Sequence, residues 1–164
     1  MKNPLFSLLL SLIGCWCLSC DDNSNTPHSF LDGNWTLVQS VPQAMPVEGG
    51  SLTAENLADS LLNYTFFEEN SVITFTNDSI RLTATAPGYT LPLSLPYTYH
   101  REVVTINTPY DLPFLIQGYA EIQGDFMHFK LTPTSYLSIL DFIQPPFRDQ
   151  LLSAEITYEL QRTD

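Results

Sequence analysis

The chain has 164 residues, 44% of them apolar, 12% aromatic and only 15% charged, which is enough apolar material for one packed core and too little charge for a disordered chain. Eighteen acidic residues stand against six basic ones, a net charge of −12. That balance excludes a surface built to neutralise phosphates and makes nucleic acid a poor partner.

Residues 1–19 read as a secretory leader: a positive start at Lys2, then an apolar run from Leu5 to Leu18 broken by Ser7, Ser11, Gly14 and the small polar cysteines. The run falls short of the roughly 18–20 apolar residues that span hydrocarbon, so a permanent transmembrane helix is the weaker reading. Loss of the leader removes Lys2 and no acid, leaving 18 acidic and 5 basic side chains, or −13. An anionic lipid surface repels such a chain, and any membrane attachment must be covalent or made through another protein.

All three cysteines, Cys15, Cys17 and Cys20, lie in or at the end of the leader. An exported domain without a disulfide must rely on its core. Small residues before a cysteine at the exit of an export signal resemble a bacterial lipobox, whose cysteine is acylated and becomes the new amino terminus. Two frames compete. Leu12-Ile13-Gly14-Cys15 is nearer the Leu-x-Gly-Cys pattern but leaves a short leader with Trp16 after the acylated residue; Cys17-Leu18-Ser19-Cys20 lacks the leading Leu but is followed by Asp21, Asp22 and a polar stretch. Cys20 is the favoured site and Cys15 the alternative. Residues 20–29 then form a lipidated tether, polar through His28. Asp21-Asp22 resembles the surface-export signal of some Gram-negative lipoproteins, which implies an outer-membrane location, periplasmic or surface-exposed.

The folded domain is expected over residues 30–164, and its dominant pattern is the alternation of β-strands. Trp35 and Leu37, continuing to Val41 past Gln39, mark a first strand; Val72 to Phe75 and Ile80, Leu82, Ala84 flank Asn77-Asp78 as a hairpin. Tyr97 to His100 and Val103 to Ile106 flank Arg101-Glu102, Tyr119 to Ile122 and Met127 to Leu131 flank Gly124-Asp125, and Ile156, Tyr158 and Leu160 mark the last strand. About eight strands suit a small closed barrel. Thr53 to Leu62 predicts a short helix, with Thr53 as N-cap and Leu57, Leu61 and Leu62 at helical spacing. Residues 135–143 fit a helix and a buried strand almost equally, with Pro145-Pro146 ending the segment. Pro87 to Pro96 and Pro109 to Pro113 are expected as loops, because proline supplies no ladder donor.

Phe30-Leu31-Asp32-Gly33-Asn34-Trp35 at the domain start and Tyr158-Glu159-Leu160-Gln161-Arg162 at its end resemble the lipocalin-like lipoproteins. In that family a Gly-x-Trp opens the first strand and a basic residue on the closing strand packs over the indole; Gly33, Trp35 and Arg162 match these positions. The resemblance implies a mainly β fold, a small antiparallel up-and-down barrel with one or two short helices, closed by the Trp35 and Arg162 pair. An open β-sandwich or a half-barrel packed by a helix is the alternative.

Little catalytic chemistry is legible. His100, Glu102 and His128 are the best assembly for a metal, but solvated strand histidines explain them as well, and no metal or other cofactor is expected. There is no Gly-x-Ser-x-Gly; Ser79, Ser94, Ser135 and Ser138 have no recognisable base, and the adjacent Glu68-Glu69 would point apart on a strand. No enzyme is expected. Asp59-Ser60-Leu61 and Asp78-Ser79-Ile80 look like short O-glycosylation sites of some Gram-negative lipoproteins. Tyr89, Tyr97, Tyr99, Tyr110 and Phe114 cluster in and beside the proline segments and suit an aromatic ligand mouth, or simply the core. The main functional expectation is a small apolar or amphipathic ligand in a barrel interior lined by residues such as Leu82, Phe129 and Tyr158. The alternative is a surface module with a filled core that contacts a protein or a glycan through its loops.

Overall fold

The computed structural model describes residues 30–163 apart from 66, 68–69, 87–88 and 108–113, with backbone alone for 83–86 and 89–91. The leader, all three cysteines, the tether with His28, the Glu68-Glu69 pair, Pro87-Gly88, Pro109, Tyr110 and Pro113 lie outside the described residues.

Eight antiparallel strands, each paired with the next and the last with the first, form a closed up-and-down barrel with two short helices. The strands are β1 (Gly33–Pro46), β2 (Val72–Phe75), β3 (Ser79–Ala86), β4 (Tyr89–His100), β5 (Val103–Ile106), β6 (Ile116–Gln123), β7 (Phe126–Leu131) and β8 (Leu151–Thr163). Helix α1 (Ala54–Leu61) follows β1, and α2 (Pro133–Ile143) lies between β7 and β8.

Strand direction gives the barrel two unlike poles. Gly33, the β2–β3 turn at 76–78, the β4–β5 turn at 101–102 and the β6–β7 turn at 124–125 share one pole. Two of these turns are tight because they hold residues with positive φ: Arg101 at 48° and Glu102 at 70° join His100 to Val103, and Gly124 at 64° helps join Gln123 to Phe126. Both helices occupy the longer connections at the other pole.

Helix α1 begins at Thr53, whose side chain accepts from the Asn56 amide at 3.2 Å, and it buries Leu57 and Leu61 one turn apart. The ambiguous segment is helical. Thr132 caps its start by accepting from Ser135 N, Pro133 occupies the first turn, and Gln144 ends it in the left-handed conformation just before Pro145-Pro146. Ser135 ties this helix to the sheet: its buried hydroxyl accepts from Gln117 N at 2.9 Å and donates to Leu115 O at 3.1 Å.

Residues 89–96, expected as part of a loop, are strand. Pro92 and Pro96 lie within β4, paired with Thr83 and Ser79 of β3. Tyr97 N donates to Asp78 O, so the odd residues of β4 face β3, whereas Pro96 O faces the other side and accepts from Asn107 N. The missing N–H groups of Pro92 and Pro96 therefore point away from β3, beyond the reach of the four-residue β5. Proline is tolerated on such an open edge.

The core runs along the barrel axis, with inward residues alternating most regularly on β6, β7 and β8. On β8 these are Ala154, Ile156, Tyr158 and Leu160, all essentially inaccessible. Gly118 on β6 faces inward beneath Phe129: a Cβ there would lie 2.7 Å from the phenyl ring and 2.9 Å from Lys130 O. Gly118→Ala is expected to lower unfolding stability by about 1–3 kcal/mol through overpacking. Urea denaturation of the two proteins checks this, and equal midpoints would contradict it.

Candidate functional site

At the tight-turn pole the two chain ends meet. β1 and β8 pair from Asn34↔Thr163 to Pro46↔Leu151, with a bulge at Val38, and Trp35 stands directly opposite Arg162. The Arg162 guanidinium carbon lies 4.6 Å from the centre of the Trp35 ring. Its Nη2 donates to Phe30 O at 2.9 Å, and the Trp35 indole N–H donates to Leu31 O at 2.8 Å. These bonds draw residues 30–32 across the barrel end, burying Leu31 completely and seating Phe30 edge-on against Tyr99 at 5.0 Å. A cation over an indole contributes about 0.5–2 kcal/mol. This pole is sealed.

The expected aromatic mouth is not a single feature. Tyr97 is buried at the sealed pole, with its hydroxyl donating to Thr76 O at 2.9 Å and its ring against Phe75. Burial, reinforced by the charges of Asp32 and Asp78, pushes its phenol up to about 12. Tyr99 packs on Phe30 at the same pole, whereas Phe114 packs against Phe142 of α2 at 6.1 Å. The side chain of Tyr89 and the whole of Tyr110 lie outside the described residues.

Of the side chains expected to line an interior cavity, Phe129 and Tyr158 pack against other rings. Phe129 and Tyr158 stack at 6.4 Å, and Phe67, from the connection between α1 and β2, inserts its ring 4.8 Å from Tyr158 and 6.4 Å from Phe129. These three aromatic rings occupy part of the barrel interior. Leu82 belongs to the same core at its rim and borders an outer cleft of about 350 Å³ between β2 and the β3–β4 hairpin, beside Thr74 and Arg81.

An apolar groove of about 320 Å³ lies instead at the helical pole. Ile116 of β6 and Leu131 of β7 form its sheet side, and Ile139, Phe142 and Ile143 of α2 form the helical side. Tyr64 and Thr65, after α1, and Phe114 complete the rim, while Tyr136 lines it from the first turns of α2. None of these lining side chains is charged. Tyr136 is 1% exposed, and its hydroxyl bonds to no described residue. Burial raises its phenol pKa, so the group is a neutral hydroxyl at any physiological pH. Sequence reading missed this groove, although a signal was present: α2 carries Tyr136, Leu137, Ile139, Leu140, Phe142 and Ile143, too many apolar residues for one core-facing stripe.

The titratable candidates do not converge. His100 and Glu102 are exposed at the β4–β5 turn, while His128 projects from the outer wall of β7, 4.0 Å from Glu159 of β8. Among the described residues no three metal-ligating side chains form a group. Ser79 is buried in its turn against the Thr76 hydroxyl, and Ser60 donates to Asn56 O on α1, so both glycosylation-like serines are engaged within the fold. No described helix is long and apolar enough to cross a membrane.

Compared with known proteins, the chain matches no family model, no curated protein and no solved structure.

Proposed function

We propose that this chain is an exported, lipid-anchored barrel that takes a small apolar or amphipathic molecule in the groove between α2 and the β6–β7 edge. The observation that carries the reading is the groove itself: its volume lies within the roughly 300–1,000 Å³ range of small-molecule sites, and its lining is almost wholly aliphatic and aromatic. The cluster of Phe67, Phe129 and Tyr158 in the interior favours the helical pole over the barrel axis. The protein acts as a carrier or receptor, not as an enzyme. A second reading, a surface module that contacts a partner protein, draws on Leu115 and Phe142, which are 64% and 62% exposed near the groove.

A fluorescent apolar probe, N-phenyl-1-naphthylamine, separates the two. The mature chain from residue 21 onward, exported without its anchor, is expected to enhance probe fluorescence saturably, and Phe142→Asp, at an exposed position, should weaken binding at least tenfold. Failure of the wild type to bind the probe contradicts the carrier and leaves the module.

Attachment to the outer membrane runs through an acylated Cys20, with the acidic tether carrying the domain into the periplasm or to the cell surface. Labelling of cells with radioactive palmitate is expected to mark the wild type and Cys15→Ala but not Cys20→Ala. A labelled Cys20→Ala protein would contradict this assignment.

A further inference from the structure

Strand β3 has a neighbour on both sides only at its start. β2 pairs with it at Thr74↔Arg81 and Phe75↔Ile80 and no further, whereas β4 follows it from Ser79 to Ala86. The chain ahead of β2 bends away toward β1: Asn70, in the left-handed region at φ 62°, donates to Leu37 O, and Ser71 O accepts from Leu37 N. Thr76 N donates to Ser79 O across the β2–β3 turn, so the odd residues of β3 direct their backbone groups toward the β2 side. Thr83 and Thr85 therefore turn N–H and C=O to an edge that no described strand covers. Open edges are usually guarded by proline or charge. Pro92 and Pro96 interrupt the donors on the outer edge of β4, but Leu82 to Ala86 contains neither a proline nor a charged residue.

At the foot of this edge, where β2 and β3 part, lies the cleft of about 350 Å³. Val72, Leu82 and Leu93 give it apolar walls, and Arg81 is the one charged residue of its lining. Lys130, Arg148 and Arg162 are engaged by Glu155, Asp141 and the Trp35 ring, whereas Arg81 is exposed and no carboxylate among the described residues pairs with it. We propose that β3 captures the free C-terminal tail of a partner protein as an added antiparallel strand beyond Arg81, with the terminal carboxylate meeting Arg81 in the cleft. The direction follows from β2: a strand added in line with β2 and antiparallel to β3 runs toward Val72 and is stopped there, so the end that reaches the cleft is its C-terminus. A parallel strand would bring its terminal ammonium to the guanidinium, which repels it. Thr83 and Thr85 supply the main-chain bonds, Arg81 the opposite charge, and the apolar walls take the last side chain of the tail. A second copy of this chain is the poorer occupant, because its β8 is already paired with β1 as far as Thr163.

Random octapeptides displayed with free C-termini and panned on the mature chain should yield binders, and the most enriched sequence, synthesised with fluorescein at its N-terminus, serves as the probe for anisotropy titration. Its C-terminal amide should bind at least tenfold more weakly than the acid, Arg81→Gln should weaken the acid by the same factor, and in Arg81→Gln the acid and the amide should bind alike. Thr83→Pro deletes an N–H that takes no part in the β3–β4 ladder, opposite the position where Pro92 is already accommodated, and should abolish binding, while Thr83→Val keeps it. Should Thr83→Pro melt early, the comparison at the exposed Arg81 carries the test by itself. No enriched peptide, equal binding of acid and amide by the wild type, an acid preference that survives in Arg81→Gln, or full binding by a folded Thr83→Pro would overturn the proposal. A dimer in sedimentation that Thr83→Pro dissolves would give the edge to a second copy and overturn it as well.

Discussion

A sheet closes into a barrel only if its first strand finds its last, and here the whole architecture depends on β1 pairing with β8. That ladder is the longest in the molecule, from Asn34↔Thr163 to Pro46↔Leu151, and it joins residues more than a hundred positions apart. Such a contact carries the largest loop-closure entropy in the chain and needs local help. The help is concentrated at one end, where Arg162 covers the Trp35 ring and both side chains donate to the carbonyls of residues 30 and 31. Closure gives every strand two neighbours, so the inward faces of the eight strands can share one interior.

Sealing one pole determines the character of the other. Tight turns leave no room for a ligand at the sealed end, and the strap at 30–32 fills what remains. The long connections collect at the opposite pole, where α1 buries Leu57 and Leu61, Phe67 packs on Phe129 and Tyr158, and α2 joins β7 to β8. α2 is apolar on more of its circumference than the core can use: Tyr136 and Leu140 are buried, whereas Ile139, Phe142 and Ile143 turn toward the groove. Arg148 fastens the end of this helix, pairing with Asp141 at 2.7 Å and donating to Leu151 O at 3.1 Å where β8 begins. The groove is therefore the consequence of a helix with surplus apolar surface pinned at both ends.

Much of the fold was legible because strand alternation and turn residues are local signals. The hairpins at Asn77-Asp78, Arg101-Glu102 and Gly124-Asp125 follow from them directly, as does α1 from Thr53 and its spaced leucines. The β4 strand is hidden in the sequence because proline's compatibility with a strand depends on which edge it faces; the four-residue β5 leaves that edge open, a property of the sheet and not of the segment. Helix α2 was undecided because its apolar residues fit both periods, although Thr132-Pro133 at its start carries a capping signal that favours helix. The site was the least legible part. Tyr97 and Phe114 look alike in sequence, yet one bonds Thr76 at the sealed pole and the other lines the groove, and the burial of Phe67 depends on long-range contacts with Phe129 and Tyr158.

The account places the closing seam at the centre of the folded state: the interior stays dry and the groove stays shaped only while β1 and β8 are joined. Residue-resolved amide hydrogen exchange under native conditions tests this most directly. The central amides of β1 and β8 should exchange only through global unfolding, with the same opening free energy as those of β6 and β7. If β1 instead opens by itself, several kcal/mol more readily than the rest of the sheet, the seam is a frayed edge and the chain ends are not what holds the barrel shut.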